Sequence, residues 1–394
     1  MPMMSSPPCT MFSRVNPQRV AHVLDRCFAR TETFLYDFVC GSRRFEAWCL
    51  AERIYNTEEF PFARIVLTTI RWEGNGWWDL LDRASYRVLH AGVLPMLRAL
   101  ARVRPAILHA HFGPSGYRVL PYSRRLRIPL LTSFYGYDAS SLPAREGWLL
   151  RLRELFRYGT AFAVEGPVMK RRLEALGCPS EKIHLVPITL HPERYRYRIR
   201  HLHPGEPLRL LFVGRFIPKK GLAILLSALA CARSQLGACE LRVIGGGDEE
   251  EQVRQLAERL DVADITRFLG FRARSTVIEE MDQAHVLAVP SRTAPDGDTE
   301  GGAPTILIEA QACGLPIVST NHADIPFVVA GAYHEFLAAE GSVEEFAERL
   351  VALRRAADRW PMLAEAGLLH VQNQHGPDNF RRLEELYDCC IASV

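Results

Sequence analysis

The sequence predicts an α/β protein made of two doubly wound parallel-sheet units joined by a linker. Three observations predict it. The chain has 394 residues, and a single hydrophobic core usually stops growing at about 250–300 residues. Strand-like apolar runs alternate with helix-period segments, the pattern of a mostly parallel sheet covered on both faces. The alternation breaks once, over 192–207, and then restarts.

Taken in order, residues 1–16 hold Pro, Met and Ser without period and read as a disordered leader. A strand fits Arg19 to Leu24, followed by a turn at Arg30-Thr-Glu-Thr33 and an amphipathic helix. Further strand candidates end at Thr68, His109, Ser133, Val164 and Val186, completing a first domain over 17–191. The linker, 192–207, carries a Tyr-Arg-Tyr-Arg alternation and His203-Pro-Gly205, which break both periods. A second domain, 208–376, opens with the apolar strand Leu208–Val213 and has later strand candidates at Glu240–Ile244, Thr266–Phe268, Val286–Val289 and Pro316–Ser319. Between them, Asp248 to Leu260 opens with four carboxylates, which suit a helix N-terminus. Residues 377–394 form a closing helical pattern with no strand after it, expected to pack back on the first domain. Ligands of such sheets sit beyond the carboxyl ends of the strands, and here also between the domains.

The composition, 48% hydrophobic and 24% charged, is that of an ordinary globular protein and excludes disorder, collagen and coiled coil. No apolar run approaches the roughly 18 residues of a membrane helix. Met1 to Pro8 lacks the basic and apolar regions of a signal peptide. Ten irregularly spaced cysteines without Cys-x-x-Cys suggest reduced thiols and a cytosolic home. The net charge of +3 hides an asymmetry: residues 1–200 carry 30 Lys+Arg against 17 Asp+Glu, and residues 201–394 carry 18 against 28. Since 44 of the 48 basic residues are Arg, composition drift explains this as well as a basic half that meets an anionic partner or a membrane surface.

Three motifs carry chemistry. The first strand of the second domain runs into Gly214-Arg215, and Lys220-Gly221 follows at a helix start. Two cations and free amides there suit a diphosphate, although solvated loop cations would read the same. Gly245-Gly246-Gly247-Asp248 ends the next strand; it lets a backbone approach a phosphate or sugar, or simply makes a tight turn. Glu250 stands where G-x-G-x-x-G requires glycine, which counts against a dinucleotide dehydrogenase. The third motif runs Glu300-Gly301-Gly302-Ala303-Pro304-Thr305 to Glu309 and on to Gly314. Pro304 suits the first position of a helix and Gly314 its C-terminal cap. Negative charge is stabilised at that helix start, and the flanking carboxylates Glu300 and Glu309 can accept bonds from sugar hydroxyls.

Together with Phe268-Leu-Gly270-Phe271 and Cys313-Gly-Leu-Pro316, these motifs resemble the retaining glycosyltransferases of family 4. Thr31-Glu-Thr-Phe34, His109-Ala-His-Phe-Gly113, Thr132-Ser-Phe-Tyr-Gly-Tyr-Asp138 and Leu176-Gly with Val186-Pro187 resemble the branch that includes colanic-acid and other exopolysaccharide transferases. The resemblance runs from residue 19 to the end and is tightest over 208–330. It implies a GT-B fold, two facing Rossmann-like domains with the nucleotide sugar held by the second. It also implies that Arg215 and Lys220 bind the donor diphosphate, Glu300 the sugar hydroxyls and Glu309 the ribose. Gly214, Gly245, Gly246, Gly302, Ala303, Pro304 and Thr305 would line the donor site, with Phe268 and Gly270 bordering the base. The acceptor-side candidates are Glu32, His111, Tyr135 and Asp138. The anomeric configuration would be kept, the leaving phosphate taking the acceptor's proton.

Three departures stand out. Eight residues separate Glu300 from Glu309, where the family usually has seven, through an extra glycine in Gly301-Gly302; Glu300 is then displaced or the loop bulges. Tyr135 stands where the family often has His before Gly, leaving Tyr135 or His111 to take that role. Phe327 stands where the family commonly has Glu after Ile-Pro.

Asp296-Gly-Asp298 imitates a metal-binding pair, but Arg215 and Lys220 already supply positive charge, so no metal and no cofactor are expected. His109-x-His111 places two imidazoles on one strand face without a third ligand nearby in sequence, which favours a structural pair or acceptor contact over zinc. Trp72, Trp77 and Trp78 form an aromatic loop, read as core or surface, or as an acceptor- or membrane-contacting loop. The expected partners are a nucleotide-sugar donor and a carbohydrate or glycolipid acceptor, with no nucleic acid. A GT-B-fold epimerase and a catalytically silent nucleotide-sugar-binding subunit are the alternatives. The basic half falls on the acceptor side, which suggests an anionic or membrane-associated acceptor.

Overall fold

The computed structural model describes residues 17–29, 33–69, 93–302 and 304–394. The leader 1–16, Glu32, the Trp72–Trp78 segment and Ala303 lie outside the described residues.

The described chain runs β1 (Arg19–Cys27), α1 (Thr33–Gly41), β2 (Glu46–Ile54), β3 (Ile65–Leu67), α2 (Val93–Val103), β4 (Ile107–His111), α3 (Gly113–Leu126), β5 (Leu130–Phe134), α4 (Trp148–Tyr158), β6 (Ala161–Val164), α5 (Pro167–Ala175) and β7 (Ile183–Leu185). It continues with β8 (Leu208–Val213), α6 (Leu222–Leu236), β9 (Cys239–Ile244), α7 (Glu250–Arg259), β10 (Thr266–Gly270), α8 (Arg274–Gln283), β11 (Val286–Val289), α9 (Thr305–Ala312) and β12 (Ile317–Thr320). The last elements are α10 (Ile325–Val328), β13 (Leu337–Ala338), α11 (Val343–Arg355), α12 (Trp360–Gln374) and α13 (Asp378–Ala392). Two sheets result, ordered β3-β2-β1-β4-β5-β6-β7 and β10-β9-β8-β11-β12-β13. Every pairing within them is parallel.

The strand order reverses beside β1 in one sheet and beside β8 in the other, which opens a crevice at the carboxyl ends of β1/β4 and β8/β11. The motifs Gly214–Lys220 and Asp298–Thr305 follow β8 and β11, so both fall at the second sheet's crevice.

Sequence periodicity missed β2. Glu46-Ala-Trp-Cys-Leu-Ala-Glu-Arg-Ile54 mixes alanine with charge and carries no clean alternation. It becomes a strand because it pairs with β1 from Arg19↔Glu46 to Cys27↔Ile54, next to the buried centre of the sheet. The two-residue β13 was missed as well. The linker is no slack tether: Arg198 donates its amide to the Cys313 carbonyl at 3.1 Å, and the buried Arg200 guanidinium meets the Met281 carbonyl at 2.8 Å.

Alternate β1 residues face opposite layers. Ala21 and Val23 pack with Val119 of α3 and Leu155 of α4. Val20 and Leu24 pack in the core that holds Leu35 of α1 and Leu383 and Tyr387 of α13. The last helix of the chain therefore lies on the first sheet, after a crossing pinned where Leu190 donates to the His375 carbonyl at 2.8 Å. On α13, buried Glu384 accepts the Ser42 hydroxyl at 2.8 Å and the Arg43 and Arg44 amides at 2.7 Å each. Glu384→Ala leaves those donors without their acceptor, at a cost of about 2–3 kcal/mol. The expected readout is a midpoint of thermal unfolding lower by about 5–10 °C; an unchanged midpoint would show that water replaces the carboxylate at no cost.

Candidate functional site

The β8 and β9 loops are knitted together. Gly214 donates to the Ile244 carbonyl at 3.0 Å and Phe216 to the Gly246 carbonyl at 2.8 Å. Gly245 has φ +138°, and a Cβ there would lie 1.9 Å from the Gly214 carbonyl oxygen. Its glycine is thus demanded by loop-on-loop packing. Gly246 is packed likewise, against the Phe271 ring.

Lys219 and Lys220 both reach into the 298–300 loop. The Lys220 ammonium lies 2.7 Å from Glu300 Oε1. Lys219 lies 2.9 Å from Asp298 Oδ2 and donates to the Thr299 carbonyl at 3.1 Å. Glu300 Oε1 also accepts the Ser291 hydroxyl at 3.0 Å. Burial pulls the Lys220 ammonium below its ordinary value against the pull of Glu300. Burial alone would raise the Glu300 carboxyl, yet Lys220 and Lys219 hold it below the usual range. The Asp296-Gly-Asp298 pair is engaged otherwise: Asp298 binds Lys219, and Asp296 accepts the Asp298 amide at 3.0 Å.

Two cavities meet at these cations. The first, of about 210 Å³, is walled by Gly214, Gly245, Phe271, Arg272, Arg274 and Glu309. The second, of about 300 Å³, lies between the domains, with Phe34, Phe112, Tyr135 and Tyr137 opposite Lys219 and Glu300. Arg215, Lys220, Pro304 and Thr305 line both. The first turn of α9 faces the junction; Thr305 is its first residue and Pro304 its cap, one position later than the sequence suggests. Gly314 ends that segment at φ +71°, the expected left-handed cap.

Glu309 is buried at the floor of the first cavity, and burial pushes its carboxyl up against the opposing charge of Arg274. Arg274 donates to the Tyr195 hydroxyl at 2.8 Å and lies 3.6 Å from Asp37, a residue of the first domain. Arg272 and Arg274 escaped the sequence reading; their signal is a pair of arginines two apart, directly after Phe271. Phe268 and Gly270 stand off the cavity: Phe268 packs on Phe216 at 6.1 Å with the Arg254 guanidinium over its ring, and the turn at Gly270 delivers Phe271 instead. Phe327 also lies away from both linings, its carbonyl accepting His370 at 3.2 Å.

On the first-domain side, Tyr135 lines the cleft and its hydroxyl meets His111 Nδ1 at 2.7 Å. His111 itself is fully buried, because its strand points it into the layer under the sheet, so the imidazole backs the tyrosine and does not face the cleft. The pairing of β1 with β4 adds His22, whose Nδ1 is 3.0 Å from His111 Nε2. His109 meets Ser133 and Tyr387, each at 2.7 Å. The three imidazoles could surround a metal ion, but each is engaged in a hydrogen-bonded chain, and burial holds all three below their ordinary values, hence neutral. Asp138 is likewise no cleft residue. It is buried and accepts the Gly113, Tyr135 and Gly136 amides at 3.0, 3.1 and 2.9 Å, which shapes the loop that carries Tyr135.

Both glycines of Gly301-Gly302 are held in close packing. A Cβ on Gly301 would lie 2.0 Å from the Tyr135 carbonyl oxygen, and one on Gly302 2.0 Å from Glu165 Oε2. The loop presses on the first domain there, and Glu300 lines the inter-domain cavity. Gly302 packs against Glu165. Beside it, Asp324 accepts the Val168 and Met169 amides at 2.7 and 3.0 Å across the domain boundary.

Residues 193–357 match the family described as Glycosyl transferases group 1, and residues 63–194 that described as Glycosyltransferase Family 4. The amylovoran biosynthesis glycosyltransferase AmsK of Erwinia amylovora is 32% identical over 289 residues, 72% of this chain and 70% of that protein. A protein of Salmonella typhimurium described as a colanic acid biosynthesis glycosyltransferase, WcaL, is 34% identical over 248 residues, 62% of this chain and 61% of its own length. Among solved structures, HepE of Anabaena in complex with UDP and glucose superposes with a TM-score of 0.73 at 16% identity, over 94% of this chain and 100% of that one. The fold is GT-B.

Proposed function

Because the chain belongs to the group 1 and family 4 glycosyltransferases, we propose that it moves a sugar, with retention of configuration, from a nucleoside-diphosphate donor to a carbohydrate or glycolipid acceptor in exopolysaccharide assembly. The observation that carries this reading is the junction: Arg215, Lys220 and the first turn of α9 lie where two cavities of about 210 and 300 Å³ meet.

The diphosphate takes the junction, where a forked guanidinium, an ammonium and helix amides all favour anionic oxygen. The nucleoside takes the first cavity, with Glu309 accepting ribose hydroxyls and Phe271 and Arg272 beside the base. The sugar takes the second cavity against Glu300, and the acceptor enters past the aromatic wall, whose rings suit a sugar face. As the bond from the anomeric carbon to the phosphate oxygen breaks, the acceptor oxygen bonds to that carbon from the same face. Its proton passes to the departing phosphate. Arg215 and Lys220 stabilise the charge that develops there, the term an enzyme uses most effectively, and the step needs no metal ion. The arginine excess of the first 200 residues supports an anionic or lipid-linked acceptor.

Thermal unfolding in the presence of UDP, GDP, ADP and dTDP sugars tests the reading. A donor at about a hundred times its Kd adds about 2.7 kcal/mol of stability, an upward shift of several degrees. Glu309→Ala should erase most of that shift. A shift of full size in that variant would remove Glu309 from the ribose site, and no shift with any donor would remove the donor site itself.

A further inference from the structure

Glu165 follows β6 on the first domain and lines the inter-domain cavity, facing the loop that carries Glu300. It is almost wholly buried. Gly302 of the facing domain packs directly against it, and there is no room for any side chain at Gly302 beside its Oε2. The extra glycine of the Glu300 loop and this carboxyl are therefore a matched pair. We propose that Glu165 is a contact residue for the transferred sugar, one carboxyl oxygen packed against Gly302 and the other donating a hydrogen bond to a sugar hydroxyl. The inference rests on the glycosyltransferase reading of the cleft and adds a selecting residue to it.

The surroundings fix which form of the acid does this. Burial drives the Glu165 carboxyl well above its ordinary value; the Gly302 amide opposes this, and the carboxylates of Asp324, Asp138 and Glu300 reinforce it. The lysines nearest the loop are committed elsewhere, Lys220 to Glu300 and Lys219 to Asp298. Its surroundings thus favour the protonated form of Glu165, which holds one proton to donate. In that form it does not serve as a base, and it favours a sugar presenting a neutral hydroxyl over one presenting a carboxylate, against which Asp138, Asp324 and Glu300 would also stand.

The sign of the pH effect follows. The protonated form is the working one, so transfer declines as pH rises through the elevated value, and the decline disappears when the side chain can no longer ionise. Glu165→Gln keeps a donor and an acceptor in the same volume, whereas Glu165→Ala keeps neither. At mildly acidic pH, Glu165→Gln is expected to transfer within about threefold of the unaltered protein and Glu165→Ala about tenfold or more below it, the span set by one hydrogen bond to substrate.

Two measurements on the full chain decide the matter. One is the rate across about pH 5–9, where the alkaline decline should vanish in Glu165→Gln. The other compares the thermal shift given by the nucleoside diphosphate with that given by the whole nucleotide sugar. Both variants should respond to the diphosphate, while the increment added by the sugar is lost in Glu165→Ala and kept in Glu165→Gln. Glu165→Gln as impaired as Glu165→Ala, a profile with the same decline in Glu165→Gln, or equal loss of both thermal shifts would overturn the proposal. If no nucleotide sugar shifts the unaltered protein, the reading of the cleft has failed and this inference with it.

Discussion

Lys220→Ala is expected to lower sugar transfer about a hundredfold to a thousandfold, the usual cost of removing one donor aimed at developing charge in a water-poor site. Lys220 is half-buried at the junction of the two cavities and lies 2.7 Å from Glu300 Oε1, so a bound diphosphate competes with that carboxylate for its ammonium. Arg215, exposed where it lines both cavities, keeps its own charge but does not restore the one removed. The substitution has a second consequence. Glu300 is left buried with its nearest counter-charge gone, and breaking a buried pair from one side costs about 3–5 kcal/mol. Loss of fold and loss of chemistry can be separated. Lys220→Met combined with Glu300→Gln removes both charges and should recover most of the unfolding midpoint without recovering transfer. A folded Lys220→Ala protein with undiminished initial rates would remove this lysine from the reaction.

Asp324→Ala is expected to act at a distance from the donor. Asp324 belongs to the second domain, yet its carboxylate accepts the Val168 and Met169 amides at 2.7 and 3.0 Å, at the N-terminus of α5 in the first. It caps a helix across the cleft, and both amides and the helix dipole favour its charge. Burial raises its carboxyl, against the two amides, Arg171 and Arg172. Alongside, Arg172 meets the Thr299 hydroxyl and Gly302 meets Glu165, so the clasp and the Glu300 loop share one seam. Removing the cap costs the closed arrangement about 2–3 kcal/mol. That predicts a fall in kcat/KM of about thirtyfold to a hundredfold, with the nucleoside-diphosphate thermal shift largely preserved, because those contacts lie within the second domain. Small-angle scattering should show a larger radius of gyration. An unchanged radius together with an unchanged rate would show that the domains stay closed without this carboxylate.

How much of this was legible in the sequence follows from the range of each interaction. The apolar runs of β8 and β11 were placed to the residue because a strand buried on both faces leaves a continuous hydrophobic signature. The sequence of β2 carries no such signature, since its strand state comes from its neighbours. The glycines of 245–247 were visible as a turn, but their reason, the pressure of Gly214 and Phe216, was not. Tyr135 and His111 looked interchangeable as cleft residues. Strand direction separates them, setting the tyrosine in the cleft and the imidazole beneath it.

By itself the sequence determined the two-unit α/β architecture, the positions of Arg215, Lys220 and Glu300 on turns beyond strand ends with Glu309 on the helix that follows, and the uneven charge of the two halves. Those are local facts, written in the periodicity, turn residues and charge of neighbouring positions. The tertiary structure decided the pairings: Lys220 with Glu300 across 80 residues, His22 with His111 across 89, and Asp324 with Val168 across 156. Periodicity reaches only a few residues, whereas burial strips water from groups far apart in the chain and obliges each to find a partner. That requirement set Glu165 against Gly302 and seated Asp324 on the start of α5.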